Sequence, residues 1–361
     1  MVITVVRKNR IGRVFLVLWI ALIGAALLIW PQAVAGGIDR GVSLCYRVIL
    51  PSLFPFLVLA GMISRTGLDR SIGRRLEGFT RFVFGLPGCC AMAIFLGFAG
   101  GYPAGAAAVR ELLESGAVTR RQAKRLLRFC VNAGPAFVIS TVGAGMAGSI
   151  AVGWLLLAAH TGASLMIGIV CRIVDGKEEE INEPAVPTNA LPAGAALTQS
   201  VNGACRTLLS MCGFVILFAG AQSLMEVAFS IDSPALAILL EVTGGCAAAA
   251  KAPEVRPLLW GMALGWGGLS VHCQLLAILS PYRVIDRGFF GYRLIHGALG
   301  GLLSLLLFWL VPVDIAAAAT SAVAVPATAA SAPAAITLVI MCLLLLFTNS
   351  KKDSNKSLFR G

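Results

Sequence analysis

The sequence predicts an all-α polytopic membrane protein with about eight transmembrane helices and two re-entrant hairpins, arranged as a transporter-like inverted repeat. Its 361 residues are 58% hydrophobic and 13% charged, with a mean hydropathy of +0.87, whereas soluble domains are about half apolar and a quarter charged. Apolar runs of about 20 residues, the length that a helix needs to cross a bilayer, recur along the chain. Lys and Arg outnumber Asp and Glu by 29 to 17 and cluster between these runs, as in cytosolic loops.

The apolar runs give the positions of the expected transmembrane helices. Eight of them read as spans: 14–34, 44–64, 129–149, 151–172, 203–228, 257–280, 294–312 and 334–348. The first has basic flanks and is too long for the core of a typical signal peptide, so we expect it to be retained as a helix. Two further runs, 86–107 and 233–250, carry Gly-Gly pairs at or past their middles.

The basic clusters decide whether these two interrupted runs cross the membrane. With the N-terminus in the cytosol, every later cluster is cytosolic only if 86–107 and 233–250 each enter and leave on the same side. The last loop cluster is Arg283, Arg287 and Arg293. We therefore predict two re-entrant segments in a multi-pass protein whose N- and C-termini are both cytosolic.

Two parts of the chain also align with each other. Residues 46–64 match 205–223, Gly100-Gly101 matches Gly244-Gly245, and 131–140 match 265–274. The offset falls from 159 to 144 to 134 residues, so the first unit is longer, and we expect its extra residues in cytosolic loops. In the predicted orientation the two units enter the membrane from opposite sides, which is typical of secondary transporters.

This alignment divides the chain into five regions. They are an N-terminal transmembrane helix (1–40), a first repeat (41–174), a cytosolic linker (175–198), a second, inverted repeat (199–312), and a final region (313–361) with an external Ala/Pro loop, the last transmembrane helix and a basic tail. Within the first repeat, Thr119 and Gln122 have capping-box spacing. They predict an amphipathic helix over 119–130 that anchors at the cytosolic headgroups.

Polar residues inside the apolar runs are the candidate site, and Glu241 is the sharpest of them. It follows seven apolar residues and directly precedes VTGG. A carboxylate at this depth costs several kcal/mol unless it is paired, hydrated or protonated. We expect Glu241 to bind a cation, take up a coupling proton or accept hydrogen bonds from a polar solute. The alternative is a salt bridge or an interfacial position.

The same argument extends to other polar groups and to the glycine pairs. Asn132, His272 and Gln274 interrupt apolar helices, and the alternative for them is hydrogen bonding between helices. The hairpin backbones are expected to contact the solute, because irregular backbone at membrane depth needs a protein or aqueous environment. The predicted substrate-binding residues are Glu241, Gly100, Gly101, Asn132, Gly244, Gly245, Ser270, His272 and Gln274.

Enzyme and metal motifs are missing from the sequence. The ten cysteines show no zinc-type spacing, and there is no HExxH, Walker A or GxSxG motif. We expect no enzymatic activity, no catalytic residue, no metal and no cofactor. His160 is expected to be structural, since an intramembrane hydrolase would need His160 or His272 beside a serine.

The stretch GFAGGYPAGAAAVRELLESGAVTRRQAKRLLRFCVNAGPAFVISTVGAGM (97–146), together with EVTGG (241–245) and GGLSVHCQ (267–274), resembles a known family. It is similar to the sporulation integral membrane protein family of the YlbJ type, in the nucleoside-recognition (Gate-domain) superfamily. The resemblance covers about residues 40–310. It implies a membrane domain related to the gates of nucleoside and ferrous-iron transporters, and a link to spore formation.

From this resemblance we expect a protein of the cytoplasmic or forespore membrane that binds or transports a small polar solute during sporulation. The alternative is a non-transporting membrane scaffold needed for spore-envelope assembly. The expected partners are a small solute of nucleoside-like character, a coupling cation or proton, membrane lipids and a second copy of the chain. Nucleic acid is not expected, because no aromatic-basic array occurs in the sequence.

Overall fold

The computed structural model describes residues 21, 24–176, 190–229, 233–252 and 256–313. All regular elements within these residues are helical, which confirms the predicted all-α membrane class. Among them, helices at Ile150–Asp175, Ala193–Ala228, Arg256–Tyr282 and Arg287–Leu310 are long and apolar enough to cross a membrane. These four match predicted spans. The predicted span 334–348 and most of 14–34 lie outside the described residues.

The helices follow one another in a fixed order. They are α1 Pro31–Leu44, α2 Leu50–Arg65, α3 Leu68–Phe84, α4 Cys90–Ala99, α5 Tyr102–Glu114, α6 Arg120–Leu127, α7 Ile150–Asp175, α8 Ala193–Phe229, α9 Pro234–Leu240, α10 Val242–Ala250, α11 Arg256–Trp266, α12 Gly268–Leu279 and α13 Arg287–Leu310. A π-helical turn at Cys45–Ile49 joins α1 to α2, a π-helical segment covers Ala136–Met146, and a 3₁₀ turn covers Ser280–Tyr282.

The predicted span 44–64 lies within one long helical rod made of α1, the π turn and α2. The turn forms where prolines begin: Pro51 has no N–H to donate to the carbonyl four residues earlier, and the Leu50 N–H bonds the Cys45 carbonyl five residues back. The rod packs along α8. A Cβ built on Gly37 would lie 2.8 Å from the Gly220 Cα, and one on Gly61 would lie 2.8 Å from the Ser200 Oγ.

These two contacts show that the rod and α8 are antiparallel, because residue numbers rise along one helix as they fall along the other. The rod and α8 are also the two helices that the internal alignment matches. Opposite directions of matched helices are what an inverted repeat requires. The sides of the membrane on which the hairpins and termini lie stay predictions.

The two aligned units contain the same order of elements. The first has the rod, the α4–α5 hairpin, a broken helix (α6 and Ala136–Met146) and α7; the second has α8, the α9–α10 hairpin, a broken helix (α11 and α12) and α13. Helix α3 has no counterpart in the second unit. Most of the first insertion is therefore a 17-residue helix, and the expectation of a loop there was wrong.

The predicted span 129–149 was also wrong in its first part. Residues 131–134 are not helical, and the helical segment runs only from Ala136 to Met146. Val131 and Ala133 are buried in protein, where non-helical backbone is tolerated if its polar groups are bonded. Hydropathy cannot separate such a buried, unwound stretch from a helix, because both are apolar.

Helix α6 begins with the predicted capping box. The Thr119 Oγ1 accepts from the Gln122 N–H at 3.0 Å, and the Gln122 Oε1 accepts from the Thr119 N–H at 2.9 Å. However, most of the helix is buried in protein, including Arg125. It therefore packs on the rest of the fold through one face, while Arg120 and Arg121 are exposed, and its position at the headgroups stays a prediction. Two of its basic residues make ion pairs, Lys124 with Asp286 and Arg125 with Asp175, and the C-cap residue Arg128 also pairs with Asp175.

Candidate functional site

Four interruptions between helices meet around one cavity. Two are the hairpin tips, at Gly100-Gly101 and at Glu241, and two are the breaks at 131–134 and at Gly267-Gly268. The first three line the cavity through Gly101, Glu241 and Gly134, and the fourth packs on Glu241. The cavity has a volume of about 70 Å³, and since one water needs about 10–15 Å³ on this measure, it has room for about five. Residues that line it include Gly101, Tyr102, Gly134, Glu241, Thr243 and Gln274, and on its apolar wall Leu44, Leu53, Met211 and Val215.

Within each unit the hairpin tip packs directly on the broken helix. In the first unit, a Cβ on Gly101 would lie 3.4 Å from the Gly134 backbone nitrogen, and Gly101 has φ +88°. In the second, a Cβ on Gly268 would lie 2.8 Å from the Glu241 Cα, and Gly268 has φ +81°. Both positions need glycine, because the conformation is left-handed and the neighbouring backbone is in contact. The same pairing of tip and break therefore occurs twice.

The helices that follow these interruptions all begin beside the cavity. They are α5 after Gly101, Ala136–Met146 after Gly134, α10 after Glu241, and α12 after Gly267. A helix N-terminus carries a partial positive charge and N–H groups without intrahelical partners. Their convergence makes the surroundings of the cavity favourable for electronegative atoms.

Glu241 is the carboxylate at this centre. It has an extended conformation (φ −152°, ψ 135°) between α9 and α10, and it is the N-cap of α10. Its Oε2 accepts from the Gly244 N–H at 2.7 Å. The residue is 5% exposed. Within the described part of the chain no Lys, Arg or His forms an ion pair with it.

The glycine pattern predicts that the second hairpin turns at Gly244-Gly245. In the structure it turns at Glu241. Both glycines lie inside α10. A Cβ on Gly244 would overlap the Gln222 Oε1, and one on Gly245 would lie 2.7 Å from the Ile238 Cα. The pair allows α10 to pack closely on α8 and α9. A glycine at a close helix contact and a glycine at a break look the same in a sequence.

Gln274 also lines the cavity, from α12. It is 5% exposed, and its Nε2 donates to the Ser270 Oγ at 3.2 Å. Its Oε1 accepts no hydrogen bond from the residues that the structure describes. Ser270 is fully buried behind Gln274 and positions it. The structure therefore brings Gly101, Glu241 and Gln274 of the predicted set to the cavity, with Gly100, Gly244 and Ser270 next to them.

Two predicted site residues lie away from the cavity. The Asn132 Nδ2 donates to the Phe129 carbonyl at 2.9 Å, within the unwound stretch. His272 lies 3.1 Å, through its Nε2, from the Trp266 carbonyl and contacts the aromatic rings of α11 and α13. Both side chains stabilise broken helices, and neither lines the cavity.

Arg293 is the residue that the charge pattern misplaced. It is not in a loop but fully buried in α13. Its Nη1 donates to the Val131 carbonyl at 2.6 Å, and its Nη2 donates to the Gly265 carbonyl. These two carbonyls lie at the broken helices of the two units, so one guanidinium holds both. One sequence feature could have indicated that Arg293 is in a helix: it lies three residues before His296, at the edge of the predicted span 294–312.

His160 and His296 extend this buried network. The His160 Nε2 accepts from the Ala133 N–H at 2.9 Å, and the two imidazoles stack with centroids 4.6 Å apart. The His296 Nδ1 lies 3.1 Å from the Arg293 Nη1. Ser164 donates to the Phe129 carbonyl and not to His160. His160 thus supports the unwound stretch, and the described residues contain no histidine hydrogen-bonded to a serine.

The chain is 28% identical, over an alignment of 340 positions, to the sporulation integral membrane protein YlbJ of Bacillus subtilis (strain 168). It is similar to a sporulation membrane protein. The alignment covers 83% of this chain and 83% of that protein, and it supports a multi-pass membrane protein with a role in sporulation. No family model matches the chain, and no solved structure matches it.

Proposed function

We propose that this protein is a YlbJ-type transporter, related to nucleoside-recognition (Gate) domains. In this proposal it binds a small polar solute between its two hairpins and moves it across the cytoplasmic or forespore membrane during sporulation. One observation carries the proposal: three helix interruptions line a cavity that reaches the buried Glu241, and a fourth packs on Glu241. Secondary transporters bind their solutes at such broken helices. Because a carboxylate inside the membrane lowers the stability of the protein, its presence at such a site points to a function.

The groups around the cavity favour a solute that both donates and accepts hydrogen bonds. Gln274 Oε1 and the Glu241 carboxylate are acceptors, whereas the helix N-termini supply N–H donors. A hydroxyl- and amide-bearing molecule such as a nucleoside has both kinds of group. A coupling proton or cation would bind Glu241. The solute would cross the membrane chemically unchanged.

The cavity has to widen for such a solute, because 70 Å³ is far below the few hundred Å³ of ordinary ligand sites. Its apolar wall is formed by the rod and by α8, through residues such as Leu44 and Met211. The π turn at Cys45–Ile49 lies in this wall, and π turns are frequent at functional sites. We propose that the rod and α8 move relative to the hairpins when solute enters.

The test is ligand-dependent thermal unfolding of the purified protein against a panel of nucleosides and polar metabolites. A binder is expected to raise the melting temperature of the wild type but not of Glu241→Gln or Gln274→Leu. Glu226→Gln is the matched control, since Glu226 is a partly exposed acid near Arg40. If Glu241→Gln and Gln274→Leu fold normally and restore sporulation fully to a deletion strain, the proposal is wrong.

The small volume of the cavity favours one alternative, a non-transporting scaffold needed for spore-envelope assembly. A scaffold would need its outer helices and not its cavity. In that case Glu241→Gln would sporulate normally and no panel member would shift the melting temperature. A transporter would show defects in both measurements, so the two proposals are separated by the same set of variants.

A further inference from the structure

Helix α3, which the second unit lacks, exposes apolar rings. Phe79 is 61% exposed and Phe82 is 72% exposed, with Leu76 beside them at 40%. Phe79 and Phe82 are three residues apart and therefore share one face of the helix. Arg75 lies four residues before Phe79 on the same face and is exposed. Aromatic rings and arginines on one exposed face are typical of helices at a membrane interface.

The position of α3 against α7 places this face at one edge of the apolar surface. A Cβ on Gly168 of α7 would lie 2.9 Å from the Phe84 ring, so the end of α3 packs on α7. Beyond this contact α7 exposes Ile173 and Val174, at 74% and 68%, and it ends at Asp175. Helix α3 therefore lies where the apolar outer surface of α7 gives way to charged residues.

An arginine from α7 joins the same face. The Arg172 guanidinium carbon lies 5.2 Å from the centroid of the Phe82 ring. Among the described residues, neither Arg172 nor Arg74 nor Arg75 forms an ion pair with an acid. The nearby Glu77 is already bonded, to Arg81 and to the Gly88 N–H. The face thus combines exposed rings with arginines that form no ion pair within the described part of the chain.

We propose that this α3 surface (Arg74, Arg75, Phe79, Phe82 and Arg172) binds an anionic phospholipid. The rings enter the boundary between acyl chains and headgroups, and the guanidinium groups bond the phosphodiester. Arginine suits this role because its planar fork matches phosphate oxygens. The site is separate from the cavity and does not depend on solute transport.

The experiment measures lipid binding to the full chain in phosphatidylcholine nanodiscs with and without phosphatidylglycerol. The variants are Arg74→Gln, Arg75→Gln and Arg172→Gln, singly and together, and Phe79→Ala with Phe82→Ala. Each lost arginine is expected to weaken phosphatidylglycerol binding by about fivefold. The matched control is Arg47→Gln with Arg206→Gln, two exposed arginines elsewhere, which should bind as the wild type does.

Each variant is compared with itself in the two types of nanodisc. A change in the stability of that variant therefore affects both measurements equally and does not alter their difference. The proposal fails if the triple arginine variant keeps wild-type binding, or if the control pair loses as much. It also fails if phosphatidylglycerol does not bind, since another part of the chain or a protein then covers the surface. Free glycerol phosphate should not compete with phosphatidylglycerol for the surface. If it displaces the lipid as well as added phosphatidylglycerol does, the surface binds soluble phosphates and the lipid assignment is wrong.

Discussion

Replacing Gly268 by alanine tests whether the contact between α12 and the hairpin tip determines the shape of the cavity. Gly268 has φ +81°, and the added Cβ would lie 2.8 Å from the Glu241 Cα and 2.9 Å from its nitrogen. The left-handed conformation costs alanine about 1–2 kcal/mol. Moving backbone to relieve such an overlap costs about 1–3 kcal/mol more. We expect a loss of roughly 2–5 kcal/mol of unfolding free energy, because neither cost can be avoided.

The assay is thermal unfolding of purified protein in detergent, where a loss of this size lowers the melting temperature by about 3–8 °C. Gly213→Ala is the matched control, since a Cβ there would meet no atom within 4 Å and alanine favours the helix. A Gly268→Ala protein that melts within about one degree of wild type would refute the reasoning. So would an equal loss in Gly213→Ala.

Three further predictions use the same assay. Gly97→Ala should destabilise more than Gly268→Ala, because its Cβ would overlap the Cys130 carbonyl oxygen; equal or smaller loss would contradict this. Arg293→Met should cost about 2–6 kcal/mol, since two buried carbonyls lose their donor, and wild-type melting would exclude the bridging role. The hydrogen bond from Lys124 holds the pKa of Asp286 below its usual value of 3.8, so this pair stabilises the fold above that value and less as pH falls through the lower folded pKa. The difference in melting temperature between wild type and Asp286→Asn should therefore shrink below about pH 4. A difference that stays constant from pH 7 to pH 3 would exclude a stabilising role for the Lys124–Asp286 pair.

Much of the fold could be predicted from local patterns. Apolar runs located the long helices α7, α8 and α13, because burial in a bilayer depends mainly on the hydropathy of about 20 consecutive residues. The internal alignment matched elements that occur in the same order in both units. The break at Gly100-Gly101 was visible as a glycine pair in an apolar run.

Other features could not be found this way. The unwound stretch 131–134 looks like a helix because it is apolar, and Gly244-Gly245 looks like a break because it is glycine. Arg293 was assigned to a loop because charge alone suggests water. Each error has the same cause: a local pattern does not contain the distant partner that satisfies a polar group or fills a contact.

The sequence by itself determined the membrane class, the repeated order of elements and the candidacy of Glu241, since hydropathy and charge act residue by residue. Only the tertiary structure decided which polar groups share the cavity. It places Gln274 and Glu241 in the lining of one cavity and leaves Asn132 and His272 outside it. It also joins Arg293 to the Val131 carbonyl across 162 residues of chain. Such bonds form only after the helices have packed, because packing brings an unbonded carbonyl of one repeat within reach of a donor in the other.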